Sequence, residues 1–180
     1  MRFTNDMKDS RQIGYSRRMS AAHEQAVLLA DLLVGRSQML AVAESCTGGW
    51  VAKCLTDLAG SSRWFDRGFV TYTNAAKQDM LGVPEATLRD HGAVSEATVL
   101  AMVDGVLAHS RVDVALAISG IAGPGGAVAG KPVGTVCFAW ALRSGYRLAE
   151  TCRFEGDRDA VRQQAVVHAL ARLVTILQDG

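Results

Sequence analysis

The hydroxyl of Ser45 is the group in this chain whose surroundings best suit a chemical step. It lies in the run Ala43-Glu44-Ser45-Cys46-Thr47-Gly48-Gly49, between an apolar segment and an amphipathic one, so a strand should end and a helix begin here. Ligands of α/β sheets bind beyond the carboxyl ends of strands, where the N–H groups of a helix start can hold a phosphate or an oxyanion. The pattern indicates a nucleophile, although a helix cap formed by Ser45 or Thr47 fits the same residues.

The thiol of Cys46 is a rival nucleophile, because a helix N-terminus can lower the pKa of a thiol. No histidine lies nearby in the sequence to act as its base. The sequence therefore favours the alternative interpretation, in which Cys46 is a small buried side chain.

The run Thr71-Tyr72-Thr73-Asn74-Ala75-Ala76-Lys77 offers groups that could move a proton. It places Tyr72 at a strand end and Lys77 in the first turns of a helix that Asn74 can cap. A lysine that is desolvated or near other cations has a lowered pKa and can act as a base, and a phenol can relay a proton. Without other evidence, the same residues favour a surface lysine on an exposed helix face, and Lys53 in the preceding helix is a competing base.

The glycine-rich run from Gly120 to Gly130, followed by Lys131 and Pro132, has the spacing of a phosphate-binding P-loop. Pro132 stands where that motif needs a metal-binding Ser or Thr, and a strand follows instead of a helix. ATP or GTP hydrolysis is therefore excluded.

Two arginines near the C-terminus, Arg158 and Arg162, lie one turn apart at the start of a predicted helix. Their guanidinium groups could clamp an anion, but ion pairing with Asp157 and Asp159 fits equally well.

The four cysteines and four histidines are scattered and lack the spacing of a zinc site, so we expect no metal and no cofactor.

The composition describes an ordinary globular protein with one domain. The 180 residues are 49% hydrophobic and 21% charged, with a net charge of +1, so no broad field attracts nucleic acid or a membrane. No apolar run is long enough to span a bilayer, and no secretory signal precedes the first helix. We expect a cytoplasmic protein with a disordered extension over residues 1–19 and a folded domain over residues 20–180.

Alternating strand and helix patterns predict an α/β fold, a three-layer α/β/α sandwich with a mixed, mostly parallel sheet. A turn near Ser144-Gly145 should make the last two strands antiparallel. The predicted helices are 20–33, 50–60, 74–81, a short one from 84, 95–109 and 157–177, and the predicted strands are 39–44, 69–72, 112–118, 133–142 and 146–154.

Several of these runs together resemble the CinA C-terminal domain family, also called the nicotinamide-nucleotide amidase family. The resemblance covers residues 20–178. The chain is similar to the stand-alone form of the family, which lacks the separate pyrophosphatase domain of longer members. It is carried by Ala43–Gly49, Gly60-Ser61-Ser62, Phe69-Val70-Thr71-Tyr72, Ser119–Gly126, Lys131–Val136 and Gly156-Asp157-Arg158.

The resemblance implies hydrolysis of the carboxamide of nicotinamide mononucleotide to nicotinate mononucleotide and ammonia, in pyridine nucleotide recycling. It implies Ser45 as nucleophile, with Tyr72 and Lys77 assisting, in a homo-oligomer of two or more copies. The alternative is a nucleotide-binding regulatory module linked to competence or DNA damage, without catalysis. The residues expected to bind the substrate are Thr47, Gly48, Gly49, Asn74, Ser119, Gly120, Gly123, Gly125, Arg158 and Arg162.

Overall fold

A computed structural model of the chain describes residues 10–180, with side chains from Ala21 onward. Its helices are α1 (Ser10–Gly35), α2 (Trp50–Thr56), α3 (Asn74–Leu81), α4 (Glu85–His91), α5 (Glu96–Ala108) and α6 (Arg158–Asp179). Its strands are β1 (Leu40–Glu44), β2 (Phe65–Val70), β3 (Val114–Gly120), β4 (Thr135–Leu142) and β5 (Arg147–Arg153).

Within residues 10–180, the five strands form one sheet in the order β2-β1-β3-β4-β5. β1 pairs in parallel with β2 and β3, whereas β4 runs antiparallel to its neighbours β3 and β5. Four of the five strands therefore point the same way, which confirms the predicted mixed, mostly parallel sheet.

Helices cover both faces of this sheet, which confirms the three-layer α/β/α sandwich. α1 and α6 pack against the larger side chains of one face, among them Leu40 and Val42 of β1. α5 covers the other face together with residues of α3 and α4. β1 is buried along its whole length because both of its faces are covered, and this explains its continuous apolar run.

The sheet face beneath α5 is lined mainly by small side chains, so this helix can lie close to the strands. Within α5, Gly105 lies against the C-terminal end of α3: a Cβ added there would meet the carbonyl oxygen of Leu81 at 2.1 Å. This close approach holds α3 in place. The alanines of the face are Ala41, Ala43, Ala115, Ala117, Ala139 and Ala141.

The predicted helix starts at Ser95 and Asp157 are confirmed by their capping hydrogen bonds. The Ser95 side chain accepts from the N–H of Thr98, and the Asp157 side chain accepts from the N–H of Ala160. At α3, however, the capping side chain is Thr73, which accepts from the N–H of Ala76, and not Asn74.

Three other predicted boundaries are wrong. β2 spans 65–70 and not 69–72, because it is an edge strand whose mostly exposed residues lack an apolar pattern. α2 ends at Thr56, and a 3-10 turn at Ser61–Arg63 follows. α1 begins at Ser10 and not at Ser20, so residues 10–19 continue the first helix, while residues 1–9 of the predicted disordered extension lie outside the described part.

None of the helices within residues 10–180 combines the length and the apolar character that crossing a bilayer requires.

Candidate active site

Ser45 follows the carboxyl end of β1, in a tight turn that leads into α2. The turn is held by Glu44, whose buried carboxylate, 1% exposed, accepts hydrogen bonds from three backbone N–H groups of the α2 start. The donors are Gly49 at 3.0 Å, Val51 at 3.1 Å and Ala52 at 2.8 Å. The charge of Glu44 is thus matched by the N-terminal N–H groups of the helix, and the position of the Ser45 side chain is fixed.

The turn requires glycine at two positions, Gly48 and Gly49, because of its backbone conformation. Gly48 and Gly49 have φ values of 62° and 94°, a left-handed region that side chains disfavour. The N–H of Gly48 donates to the Ser45 carbonyl at 3.1 Å, and that of Gly49 donates to Glu44. These two amides are therefore engaged within the chain and are not available to bind an oxyanion.

Lys77 lies beside Ser45 in the interior. Its side chain is 1% exposed, and its Nζ donates hydrogen bonds to Ser45 Oγ at 3.0 Å and to the carbonyl oxygen of Thr71 at 2.9 Å. Burial disfavours the charged ammonium and lowers the pKa of Lys77 from 10.5 to about 8. The two side chains thus form a pair in which the lysine can be neutral at physiological pH.

The competing base, Lys53, pairs with a carboxylate of its own helix region. Its Nζ is 2.6 Å from the carboxylate of Asp57, one turn later in the chain, and both side chains are exposed. It is Lys77, on the buried face of α3, that donates to the Ser45 hydroxyl.

Cys46 does not have the properties of a nucleophile. It packs in the core beneath α1 and α6, and burial raises the pKa of its thiol from 9.0 to about 12. A thiol with this pKa stays protonated near neutrality, which supports its interpretation as a small buried side chain.

Tyr72 and Arg158 are hydrogen-bonded to each other at the protein surface. Tyr72 is 56% exposed, and its hydroxyl oxygen accepts a hydrogen bond from the Arg158 guanidinium at 2.7 Å. The same guanidinium donates to the carbonyl oxygen of Gly123 at 2.7 Å. The phenol hydroxyl is thus paired with an arginine and not with Ser45 or Lys77.

Arg162 binds the turn from the α6 side. Its Nε donates to the Cys46 carbonyl at 3.0 Å, a terminal nitrogen donates to the Thr47 carbonyl at 2.9 Å, and the guanidinium lies 5.1 Å from the Trp50 ring centroid. Both arginines therefore reach loops of the site, and the predicted alternative of surface ion pairing with Asp157 and Asp159 is wrong. A cavity of about 360 Å³ opens here, lined by Thr47, Gly48, Gly49, Trp50, Lys53, Asp159 and Arg162.

The remaining predicted binding residues have different environments. Ser119 is buried, and its hydroxyl donates to the Ala93 carbonyl at 2.7 Å. A Cβ on Gly120 would come within 2.8 Å of Val136 and 3.1 Å of the Cys46 sulfur, so this glycine serves packing. Gly123 has a positive φ of 85°, while Gly125 borders open space and Asn74 is exposed at the start of α3.

Three residues of the site were not predicted from the sequence. Glu44 stabilises the turn, the Thr71 carbonyl accepts from Lys77, and Trp50 lies beneath Arg162. Glu44 could have been found, since a carboxylate that ends a fully apolar strand must be paired when it is buried.

Comparisons with known proteins agree with this architecture. The family model described as CinA C-terminal domain matches residues 22–177. The chain is 57% identical over 145 residues to nicotinamide-nucleotide amidohydrolase PncC of Escherichia coli strain K12, covering 81% of this chain and 88% of that protein. It is also 57% identical over 148 residues to a putative competence-damage inducible protein of Symbiobacterium thermophilum, covering 78% of this chain and 35% of that longer protein.

Solved structures show the same fold. The structure of competence/damage inducible protein CihA from Agrobacterium tumefaciens superposes with a TM-score of 0.84 at 46% sequence identity, covering 87% of this chain and 95% of that one.

Proposed function

The chain belongs to the CinA C-terminal domain family, and we propose that it hydrolyses the carboxamide of nicotinamide mononucleotide to nicotinate mononucleotide and ammonia. The name of the Escherichia coli relative supports a nicotinamide-nucleotide amidohydrolase, and the match covers most of both chains. One observation carries the mechanism: the Nζ of a buried lysine lies 3.0 Å from the Ser45 hydroxyl oxygen.

In the first step, neutral Lys77 accepts the hydroxyl proton of Ser45 while Oγ attacks the carboxamide carbon. With a pKa of about 8, about a tenth of the lysine is neutral at pH 7. The carbonyl oxygen becomes an oxyanion, which backbone N–H groups near the reacting carbon would stabilise. Since Gly48 and Gly49 are engaged, we assign this role to the N–H groups of Cys46 and Thr47.

In the second step, the ammonium of Lys77 returns its proton to the departing nitrogen, and ammonia leaves an acyl-enzyme on Ser45. Lys77, neutral again, then accepts a proton from water, which attacks the ester carbon. Collapse of the second intermediate breaks the bond to Oγ, and the lysine gives the proton back to Ser45. One base therefore serves both half-reactions, and Tyr72 is not needed as a proton donor.

The arginines of α6 are suited to hold the anionic part of a nucleotide. Arg162 borders the cavity beside the Ser45 turn, and an arginine fork matches phosphate geometry. The Tyr72–Arg158 pair lies on the same side of the site and would position the sugar or the ring. From the family resemblance we also propose cytoplasmic action, without a cofactor, in a homo-oligomer of two or more copies.

The second candidate function is a nucleotide-binding regulatory module without catalysis. It is favoured by the competence-damage name of the Symbiobacterium thermophilum relative. A binding module has no need of a buried lysine beside a serine hydroxyl, whereas a lysine whose pKa is lowered to about 8 suits proton transfer.

The deciding experiment measures ammonia and nicotinate mononucleotide released from nicotinamide mononucleotide by the wild-type protein. Mass spectrometry of the quenched reaction should detect an acyl group on Ser45, and none on the Ser45→Ala variant. A protein that binds the nucleotide but releases no ammonia would contradict the proposed hydrolysis and favour the regulatory module.

A further inference from the structure

We propose that Glu150, Cys152 and His168 form a binding site for a divalent transition ion of the zinc type, separate from the Ser45–Lys77 pair. Glu150 and Cys152 lie two residues apart on β5 and therefore point to the same face of the strand. His168 meets them from α6. A carboxylate oxygen, a thiol sulfur and an imidazole nitrogen are three ligand types that zinc accepts.

The donor atoms converge on one point. The Nε2 atom of His168 lies 3.5 Å from the Cys152 sulfur and 2.5 Å from a carboxylate oxygen of Glu150. All three donor atoms lie within 4.8 Å of one another. Ligand atoms bound to one zinc ion at about 2.0–2.3 Å in a tetrahedron are about 3.3–3.8 Å apart, so His168 Nε2 and the Glu150 oxygen would have to separate by about 1 Å to admit the ion.

The surroundings orient the ligands. The His168 ring lies 4.8 Å from the ring of Phe138 and 5.8 Å from that of Phe154, which restrict its rotation. The second oxygen of Glu150 lies 3.7 Å from Arg172, so the first oxygen is left to face the other two ligands. Thiolate and carboxylate together would match the double charge of the ion.

An ion pair between Glu150 and His168 is the simpler interpretation of the same contacts, and in that interpretation Cys152 has no role. The position of the Cys152 sulfur separates the two interpretations, because it lies 3.5 Å from His168 Nε2, on the same strand face as Glu150. An ion pair has no use for this sulfur, whereas binding of the ion would form a metal–thiolate bond and release the thiol proton to solvent.

Such an ion would join the edge strand β5 to the middle of α6. The first turns of α6 carry Arg158 and Arg162, which contact the loops around Ser45. The ion would therefore stabilise the scaffold without entering the chemistry, because none of its ligands touches Ser45 or Lys77.

The test uses Co²⁺ as a spectroscopic substitute for Zn²⁺ in a titration of the full chain. We expect one equivalent to bind, with a thiolate-to-cobalt charge-transfer band that added Zn²⁺ abolishes. Zn²⁺ at about 100 times its Kd should raise the melting temperature by about 5 °C or more. The band and the shift should both disappear in Cys152→Ser and in His168→Gln.

Cys54→Ala is the matched control, because it removes a buried thiol that lies outside the cluster. It should keep the band and the thermal shift. Circular dichroism of the ion-free variants shows whether each is folded, and Glu150→Gln supplies a third variant that keeps the thiol. A wild-type titration without a charge-transfer band, or a band that persists in folded Cys152→Ser, would overturn the proposal.

Discussion

Two sides of the Ser45 turn present cations to it, and they differ in burial. On the α3 side, Lys77 is enclosed in the interior and its pKa falls to about 8. On the α6 side, Arg158 and Arg162 donate to loop carbonyls at the rim of the site. A guanidinium keeps its proton in proteins, whereas a buried ammonium can lose it. The comparison teaches that burial and residue type, and not charge alone, suit one side to proton transfer and the other to binding.

The largest expected effect concerns Ser45, the proposed nucleophile. Ser45→Ala should reduce kcat by about 10⁴-fold or more, because no covalent intermediate can form. Ammonia release under saturating nicotinamide mononucleotide measures this, and circular dichroism should show an unchanged fold. Cys46→Ala is the control and should keep most of the activity. If Cys46→Ala loses activity while Ser45→Ala keeps it, the thiol is the nucleophile.

The next effect breaks the α3 side alone. Lys77→Met should reduce kcat by about 10³-fold, within the range that removal of a general base produces. Lys77→Arg should be comparably inactive, because a guanidinium keeps the charge but cannot accept the proton. Lys53→Met is the matched control, and its kcat should stay within a few-fold of the wild-type value. Activity in Lys77→Arg would contradict the proposed base.

The α6 side should respond differently. Arg162→Met should raise KM by about 10- to 100-fold, since it removes a charge-assisted contact to an anion, and it should change kcat less. Comparing nicotinamide mononucleotide with its riboside, which lacks the phosphate, sharpens the test. The variant and the wild-type protein should differ much less with the riboside. An equal loss with both substrates would assign Arg162 to the turn and not to the phosphate.

The sequence alone predicted the strands and helices around this site, but not which of its side chains are buried. The apolar run of β1 located Ser45, and the capping residues Ser95 and Asp157 located the starts of α5 and α6. The burial of Lys77 beside Ser45 joins residues 32 positions apart, and α3 itself packs through Leu81 against Gly105 of α5; no local pattern encodes such contacts between distant segments. For the same reason the cluster of Glu150, Cys152 and His168 was missed, because its members lie 16 and 18 residues apart on two elements.

A smaller effect concerns pH. Lys77 must be neutral to accept a proton, and burial lowers its pKa to about 8. The value of kcat/KM should therefore rise with pH, about tenfold per unit below pH 8, and level off above it. The pH profile of the wild-type protein measures this, with substrate ionisation corrected separately. A flat profile between pH 6 and about 9 would contradict a lysine base with this pKa.

The smallest expected effect separates the Ser45 site from the proposed ion. Every step assigned to Ser45 and Lys77 transfers a proton or an acyl group, and none requires a cation. Exhaustive chelation with EDTA should therefore leave kcat unchanged at a temperature well below the melting transition. An ion at Glu150, Cys152 and His168 would act on stability instead, so chelation should lower the melting temperature of protein loaded with Zn²⁺. If kcat falls on chelation and added metal restores it in Cys152→Ser as well as in the wild type, then a cation takes part in the reaction elsewhere. That result would contradict the metal-independent mechanism and leave the cluster to be tested by its cobalt spectrum alone.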